Sequence, residues 1–466
     1  MSAEGLRASE DKMRAAGVAG PAIAAFARYY RRLAAGESGM LPERGIEPVE
    51  ELPDAESLPE PSAAEAAAVL DRAVAVRLNG GLGTSMGMTR AKSLLPVKDG
   101  LTFLDVIVGQ VLALRERHGA RLPLVLMNSF ATREDTLAAL AAHPGLPVEG
   151  LPLDFLQSRE PKLLADGLTP ATWPANPALE WCPPGHGDLY ASLLTSGMLG
   201  ALRERGIRWA FVANSDNLGA RLDPRILAWV AREEVPFAME AADRTEADRK
   251  GGHLAHLRDG RLVLRESAQT PAADADAFQD IARHRFFNTN NLWVDLDALD
   301  SALREREGVL GLPAIFNRKT LDPRDPASPP VVQIETAMGA AISVFPGARA
   351  LRVPRSRLVP VKTTSDLLVL RSDRYEIAPD GALTEAAGAT GEIFVELDPD
   401  HYKLLDDFEA RFPAGPPSLL ACERLEVAGD VTFGRDVVAR GRVSVSAAGG
   451  PARIADGAEL RGAIEL

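Results

Sequence analysis

The chain has 466 residues, 46% hydrophobic and 25% charged, which fits a folded protein of two or three domains and excludes a disordered or fibrous one. Its net charge of −13 makes the surface as a whole repel nucleic acid and anionic membrane, so a phosphorylated ligand needs a local cluster of Lys and Arg. No apolar run approaches the roughly 20 residues of a spanning helix, which excludes a membrane-spanning segment of that kind.

Residues 1 to 45 read as a helical leader, because Ile23, Phe26, Ala27, Tyr30 and Leu33 share one face at helical spacing. Its opening, MSAEGLRASEDKMRAAG, is charged where a secretion signal is apolar. ELPDAESLPEPSAAE, 51 to 65, is rich in Pro and Glu and is expected as a covering linker. AVAVRL, 73 to 78, is a short apolar strand that feeds the glycine loop LNGGLGTSMG, 78 to 87. This loop lacks the Gly-Lys-Ser/Thr of a Walker A loop, and Gly81, Gly83 and Gly87 are one residue too wide for a dinucleotide fingerprint. Bare backbone amides still make an anion nest, and the ammonium of Lys92, five residues on, can reach what the loop cradles. Taken alone, the loop also reads as a tight structural turn.

A helix is expected from about Phe103 to His118, with Leu104, Ile107, Val108, Val111 and Leu112 as its buried stripe and Thr102 with Asp105 as a capping box. LPLVLMNS (122–129), RWAFVANSDN (208–217) and VPFAMEA (235–241) are buried strands whose alternation with helices argues for a largely parallel α/β sheet. Ligands of such sheets bind at the carboxyl ends of the strands, where the glycine loop, Asn128 and Asp216 all fall. Beside a phosphate site the Asp216 carboxylate suits Mg²⁺, which takes few protein oxygens; without the loop it would read as an N-cap or turn residue.

CPPGHGD, 182 to 188, is a turn that leaves His186, between two glycines, exposed enough to contact a ligand, although a lone His is more often a surface or satisfied residue. Cys182 there and Cys422 far along the chain have no metal-type neighbours, which points to a reducing, cytoplasmic compartment. KGGH (250–253) and FFNTNN (286–291) are polar patches beside apolar strands, and their amides suit sugar hydroxyls or turn formation. VPRSRLVPVKTTSDLL, 353 to 368, brings Arg355, Arg357 and Lys362 together as a basic cluster on an acidic protein. From about 418, Leu425, Val431, Val437 and Val443 recur every six residues, and Ile454, Leu460 and Leu466 resume the step. That period marks parallel β-helix coils, with a few antiparallel strands as the plainer reading.

Placed in order, VRLNGGLGTSMG, LVLMNSF, QSR, PPGHGDLYAS, NSDNLGA, KGGH, FNTNNLW, VPRSRLVPVKTTSDLL and GDVTFG resemble the UDP-glucose pyrophosphorylases of the eukaryotic type, from about residue 70 to the C-terminus. The resemblance implies an α/β fold: a Rossmann-like, GT-A-like mixed sheet of the nucleotidyltransferase kind, followed by a C-terminal left-handed parallel β-helix. The expected divisions are a helical segment and linker at 1–65, a catalytic domain at 66–370, a connecting segment at 371–417 and the β-helix at 418–466. By the same resemblance Leu78, Asn79, Gly80 and Gly81 hold the nucleotide, Gln157 and Gly185 meet the uracil, and Met127 packs by the base. His186, Asn214, Ser215, Gly251, Asn288 and Asn290 line the sugar-phosphate side. Asp216 binds Mg²⁺ and so the nucleotide's phosphates, and Lys92 and Lys362 are the catalytic lysines. The chain departs from the family at Met88 to Ala91, at Glu160 and Lys162, and at Ser215, where an apolar residue is common.

The reaction implied is UTP plus glucose 1-phosphate giving UDP-glucose and pyrophosphate. The attacking phosphate has its second pKa near 6, so no side-chain nucleophile or general base is required. A pyrophosphorylase for UDP-N-acetylhexosamine or for several UDP-sugars is the nearest alternative, although those relatives usually carry G-T-R-L-G where GTSMG stands here. A glycosyltransferase would show D-x-D where Asn214 precedes Ser215 and Asp216, and a non-catalytic scaffold would have no use for both lysines. The family's tail can mediate assembly, so a homo-oligomer through the β-helix is one expectation; no nucleic-acid or membrane partner is expected.

Overall fold

A computed structural model describes residues 2–389 and 391–466. Ten strands form the central sheet: β1 (Ile46–Pro48), β2 (Ala73–Asn79), β3 (Leu124–Asn128), β4 (Asp154–Leu156), β5 (Trp209–Asn214), β6 (Phe237–Asp243), β7 (His253–Leu257), β8 (Leu262–Arg265), β9 (Phe286–Asp295) and β10 (Arg349–Arg352). Their order is β1-β7-β9-β5-β2-β3-β4; β6 joins β9 to β10, and β8 flanks β7. The run β5-β2-β3-β4 is parallel, whereas β9 is antiparallel to both β5 and β6, so the sheet is mixed rather than largely parallel.

Both faces of the parallel run are buried, as its unbroken apolar sequence requires. Ala73, Ala75, Leu124, Leu126, Trp209 and Phe211 face one core. Val74, Val76, Val125, Met127, Ala210 and Val212 face the other, the two-residue alternation of a pleated strand. Against the first face lies the helix Phe103–His118, opened by the Thr102–Asp105 capping box and closed by Gly119 in the left-handed region. Of its expected stripe, Leu104, Ile107, Val108 and Val111 are buried, and Leu112 is half-buried at the edge.

The leader is two helices, Ser2–Ala15 and Gly20–Ala34, rather than one. Ile23, Phe26, Tyr29 and Tyr30 pack on Leu163, Ala314 and Ile334 of a separate three-stranded sheet, while Leu33 is only half-buried. The chain just after the leader forms β1, which pairs antiparallel with β7. The expected linker also carries structure, because Ser62 caps a helix at Ala63–Leu70.

The C-terminal part forms two parallel sheets. β11 (Phe394–Leu397), β12 (Cys422–Ala428), β14 (Val438–Ser446) and β16 (Glu459–Glu465) make one; β13 (Val431–Phe433) and β15 (Ala452–Ile454) make the other. The antiparallel reading of the tail is therefore wrong. Val443 pairs beside Leu425, three six-residue steps earlier, and Leu425, Val431, Val437 and Val443 are all buried. Leu466 breaks the series and is 46% exposed. The apolar core of the tail is continuous with the core beneath β2 and the helix Phe103–His118.

Candidate active site

Sheet register brings the site together. Leu78 pairs beside Asn214 on one side and Met127 on the other, and Asn128 beside Leu156, so four parallel strands end in line. At those ends lies a cavity of about 330 Å³, lined by Leu78, Asn79, Gly80 and Gly81, by Met127 and Gln157, by Gly185 and His186, and by Lys92, Asn214, Ser215 and Asp216. Ser93 and Pro183, which sequence reasoning did not single out, also line it.

On the nucleotide side, Gly80 lies directly against the Gln157 amide: a Cβ there would stand 2.7 Å from Gln157 Oε1. Gln157 is held by its backbone N–H, which donates to Asn128 O at 2.8 Å. The next residue, Ser158, donates its N–H to Asp188 at 2.6 Å, and Ser192 Oγ donates to the same oxygen at 2.7 Å, so GHGD and QSR are fastened to each other. Gly185 has φ +79, and a Cβ there would lie 2.5 Å from Thr336 O, so only glycine fits. The Asn79 amide N–H₂ is turned inward, donating to Asn128 Oδ1 and Thr136 Oγ1. Asn128 is fully buried, bonded to Asn79 and Asp154, and does not reach the cavity.

His186 is half-buried and lines the cavity. Burial pushes its pKa down to about 4, against a smaller upward pull from Glu335. Nδ1 accepts a hydrogen bond from Met338 N at 3.0 Å, so the proton of the neutral ring sits on Nε2 and can be donated. Ser93 and Ser215 are buried with hydroxyls that have no partner among the described residues.

The strand expected over 208–217 stops at Asn214, and Asp216 sits in the turn beyond it. There the Lys92 ammonium donates to Asp216 Oδ2 at 2.8 Å and to Val361 O, while Val361 N donates to Asp216 O at 3.0 Å. One ammonium thus joins the glycine loop, the Asp216 turn and the segment carrying Lys362. Among the described residues no group of three His, Cys, Asp or Glu side chains gathers to cage a metal. Asp216 is the one carboxylate in the cavity lining among the described residues, and a single oxygen ligand suits Mg²⁺, which keeps water and phosphate oxygens as its other ligands, and not Zn²⁺.

Lys362, Gly251, Asn288 and Asn290 do not line this cavity. Three of them form a neighbouring group. FFNTNN lies inside β9 rather than beside it, Asn288 N donates to Gly252 O at 3.1 Å, and a Cβ on Gly251 would run into the Phe287 ring. Asn288 Nδ2 donates to Asn290 Oδ1 at 2.9 Å, leaving the Asn290 amide N–H₂ to project. Glu266 lies against Gly252; burial raises its pKa, and the positive charge of Lys362 opposes that rise. No sequence signal marked Glu266, which only the β7–β8 hairpin returns to KGGH. Lys362 is exposed, with no ion pair at Nζ among the described residues. The rest of the basic cluster is not free: Arg355 pairs with Asp248, and Arg357 is buried against Glu240. His253 of KGGH is buried too, stacked 3.9 Å from His284.

The family model for UTP–glucose-1-phosphate uridylyltransferase matches residues 23–440. The UTP–glucose-1-phosphate uridylyltransferase of Solanum tuberosum is 41% identical over 401 residues, which cover 85% of this chain and 82% of that one. A mutant UDP-glucose pyrophosphorylase from Leishmania major, solved in complex with UDP-glucose, superposes with a TM-score of 0.93 at 44% identity over 99% of both chains. The Trypanosoma brucei enzyme superposes at 0.92 and 43% identity, over 99% of this chain and all of its own. With matching sequence over most of its length and matching structure over nearly all of it, the chain belongs to the UTP–glucose-1-phosphate uridylyltransferase family.

Proposed function

We propose that the protein transfers a uridylyl group from UTP to glucose 1-phosphate, reversibly, giving UDP-glucose and pyrophosphate. The observation that carries this reading is the meeting of Lys92 and Asp216 in the lining of a strand-end cavity that Gln157 and Gly185 also line. The uracil lies against Gln157, Gly185 and Met127, and the backbone of Leu78 to Gly81 follows the nucleotide toward its phosphates. His186 Nε2–H, Asn214 and Ser215 face the sugar phosphate, with Gly251, Asn288, Asn290 and Glu266 behind it as the hexose wall.

An oxygen of the sugar phosphate attacks the α-phosphorus of UTP in line, and the bond from that phosphorus to the α–β bridging oxygen of UTP breaks, that oxygen leaving as a terminal oxygen of pyrophosphate. No proton need move, because both reactants are already anionic. The protein's work is to bring two polyanions together and to stabilise charge on the leaving group. Lys92 donates to the leaving phosphates and Lys362 to the α-phosphate and the incoming sugar phosphate. Mg²⁺, held by Asp216, supplies further charge neutralisation when bound. Pyrophosphate release from UTP with a panel of sugar 1-phosphates tests the reading: preference for glucose 1-phosphate supports it, and equal use of N-acetylhexosamine phosphates overturns the assignment of sugar.

Four coarser features accompany this. The tail at 418–466 is a left-handed β-helix, a reading supported by its parallel pairing and six-residue buried period. The helical segment and linker at 1–65, the catalytic domain at 66–370 and the connecting segment at 371–417 precede it. The exposed edge strand β16 offers a surface for homo-oligomer assembly, which light scattering would detect. Two free, buried cysteines suit a reducing cytoplasmic compartment.

A further inference from the structure

Behind the sugar side lies a carboxylate that meets no cavity. Glu240 in β6 is fully buried, and four donors converge on it. Arg357 Nε and Asn291 Nδ2 donate to Oε2 at 2.7 and 3.0 Å. Arg357 Nη2 and Trp293 Nε1 donate to Oε1 at 2.6 and 2.9 Å. Every lone-pair direction of the carboxylate is therefore used. A buried ion pair is seldom more stabilising than apolar side chains of the same volume, so stability alone is a weak reason for this one.

What the pair joins is more telling. Along β6 and β9, Met239 pairs with Leu292 but Ala241 pairs with Asn288, so Thr289, Asn290 and Asn291 all stand opposite Glu240. This bulge holds Asn290 at φ +58, a left-handed conformation that needs support in a strand. Glu240 supplies support on both sides: its carbonyl accepts from Thr289 Oγ1 at 2.7 Å and its carboxylate accepts from Asn291. The second partner, Arg357, opens the five-residue run to Lys362. Arg357 O accepts from Asn217 Nδ2 at 3.1 Å and from Asn291 Nδ2 at 3.2 Å, and Asn217 Oδ1 accepts from Val359 N at 2.9 Å. Asn217 is the residue after Asp216.

We infer that the Glu240–Arg357 pair is a positioning device for the sugar-phosphate side: without touching substrate, it sets Asn288 and Asn290 against Lys362 and Asp216. The inference rests on the uridylyltransferase reading above. Among the described residues, Gln157 and Gly185, at the base end, have no hydrogen bond to this network, so damage to it falls on one substrate more than the other.

The test is Glu240→Gln. Glutamine keeps the shape but offers one acceptor oxygen and one donating amide, so at least one of the four donors loses its partner. We expect kcat to fall about 10- to 100-fold, as for misplacement of reacting groups by a fraction of an ångström to an ångström, with KM for glucose 1-phosphate raised and KM for UTP within about twofold. Trp293→Phe is the control, because it removes a donor from the same carboxylate yet holds neither the asparagines nor the lysine segment. It should lower the melting temperature and leave kcat alone. Arg357→Lys keeps the charge but not the two-pronged contact, and it carries the test if Glu240→Gln does not fold; its kcat and KM should move in the same sense. The inference fails if Glu240→Gln retains kcat and both KM values, if the two KM values rise together, or if Trp293→Phe loses as much kcat at the same melting temperature. Wild-type protein in the same assay separates the two levels: an inactive wild type sinks the uridylyltransferase reading and this inference with it, whereas an active wild type with an unaffected Glu240→Gln sinks this inference alone.

Discussion

Lys92→Met separates two roles of one ammonium. Lys92 lies 2.8 Å from Asp216 Oδ2, with side chains 15% and 26% exposed. In turnover, its loss removes a donor aimed at the leaving phosphates, and such donors are worth about 10²–10³ in kcat, or roughly 2.7–4 kcal/mol. In the nucleotide-free protein the effect has the opposite sign for a cation. A partly exposed ion pair nets about 1 kcal/mol, roughly fivefold in an equilibrium constant, and Mg²⁺ must compete with the ammonium for Asp216. Lys92→Met should therefore bind Mg²⁺, or Mn²⁺ as its spectroscopic substitute, about fivefold more tightly while turning over 10²–10³ times more slowly. Pyrophosphate release at saturating substrates reads the first effect, and Mn²⁺ titration by electron paramagnetic resonance reads the second. Turnover within threefold of wild type would refute the leaving-group role; weaker Mn²⁺ binding would refute the competition at Asp216.

Gly185→Ala places a Cβ 2.5 Å from Thr336 O at φ +79, and backbone strain of this kind costs about 1–3 kcal/mol; KM for UTP should rise while the sugar KM changes little. His186 should make stability depend on pH. The unfolded chain takes up a proton near pH 6.5, but the folded one not until about 4, so stability falls as pH drops through that window. His186→Gln should flatten that part of the melting-temperature profile, and an unchanged slope would contradict the burial argument. In the tail, Leu425→Ala removes a fully buried side chain from the core shared with the central sheet and should cost about 2–5 kcal/mol in chemical unfolding; a cost below 1 kcal/mol would mean that the shared core is loosely packed.

Local chemistry was legible in the residues. The helix Phe103–His118 has its stripe, its Thr102 cap and its Gly119 stop in the sequence itself. The β2 and β5 strands announce themselves by unbroken apolar runs, because both faces are covered. The six-residue step of the tail likewise agrees with its parallel pairing, in which Val443 lies beside Leu425. The glycine loop, Lys92 and Asp216 followed from strand ends and phosphate chemistry, and they do share a cavity. The family resemblance supplied Gln157, Gly185 and the asparagines, whose spacing alone would not have joined them.

What the tertiary structure alone decided is which polar groups remain free to act. Arg355, Arg357 and Lys362 are equivalent cations in the sequence, yet two are spent on Asp248 and Glu240 and the third is exposed. Asn79 and Asn128 look like ligands at strand ends, but they bond to each other. His186, legible in the sequence only as a histidine able to reach a ligand, is held neutral by burial and by a bond from Met338, 152 residues away. Glu266 and Glu240 carried no mark because their importance lies in strand pairing and a bulge. Periodicity and turn chemistry are short-range properties that a chain writes into neighbouring residues. Whether a charge is paired, buried or available depends on partners far along the chain, and only the folded arrangement determines that.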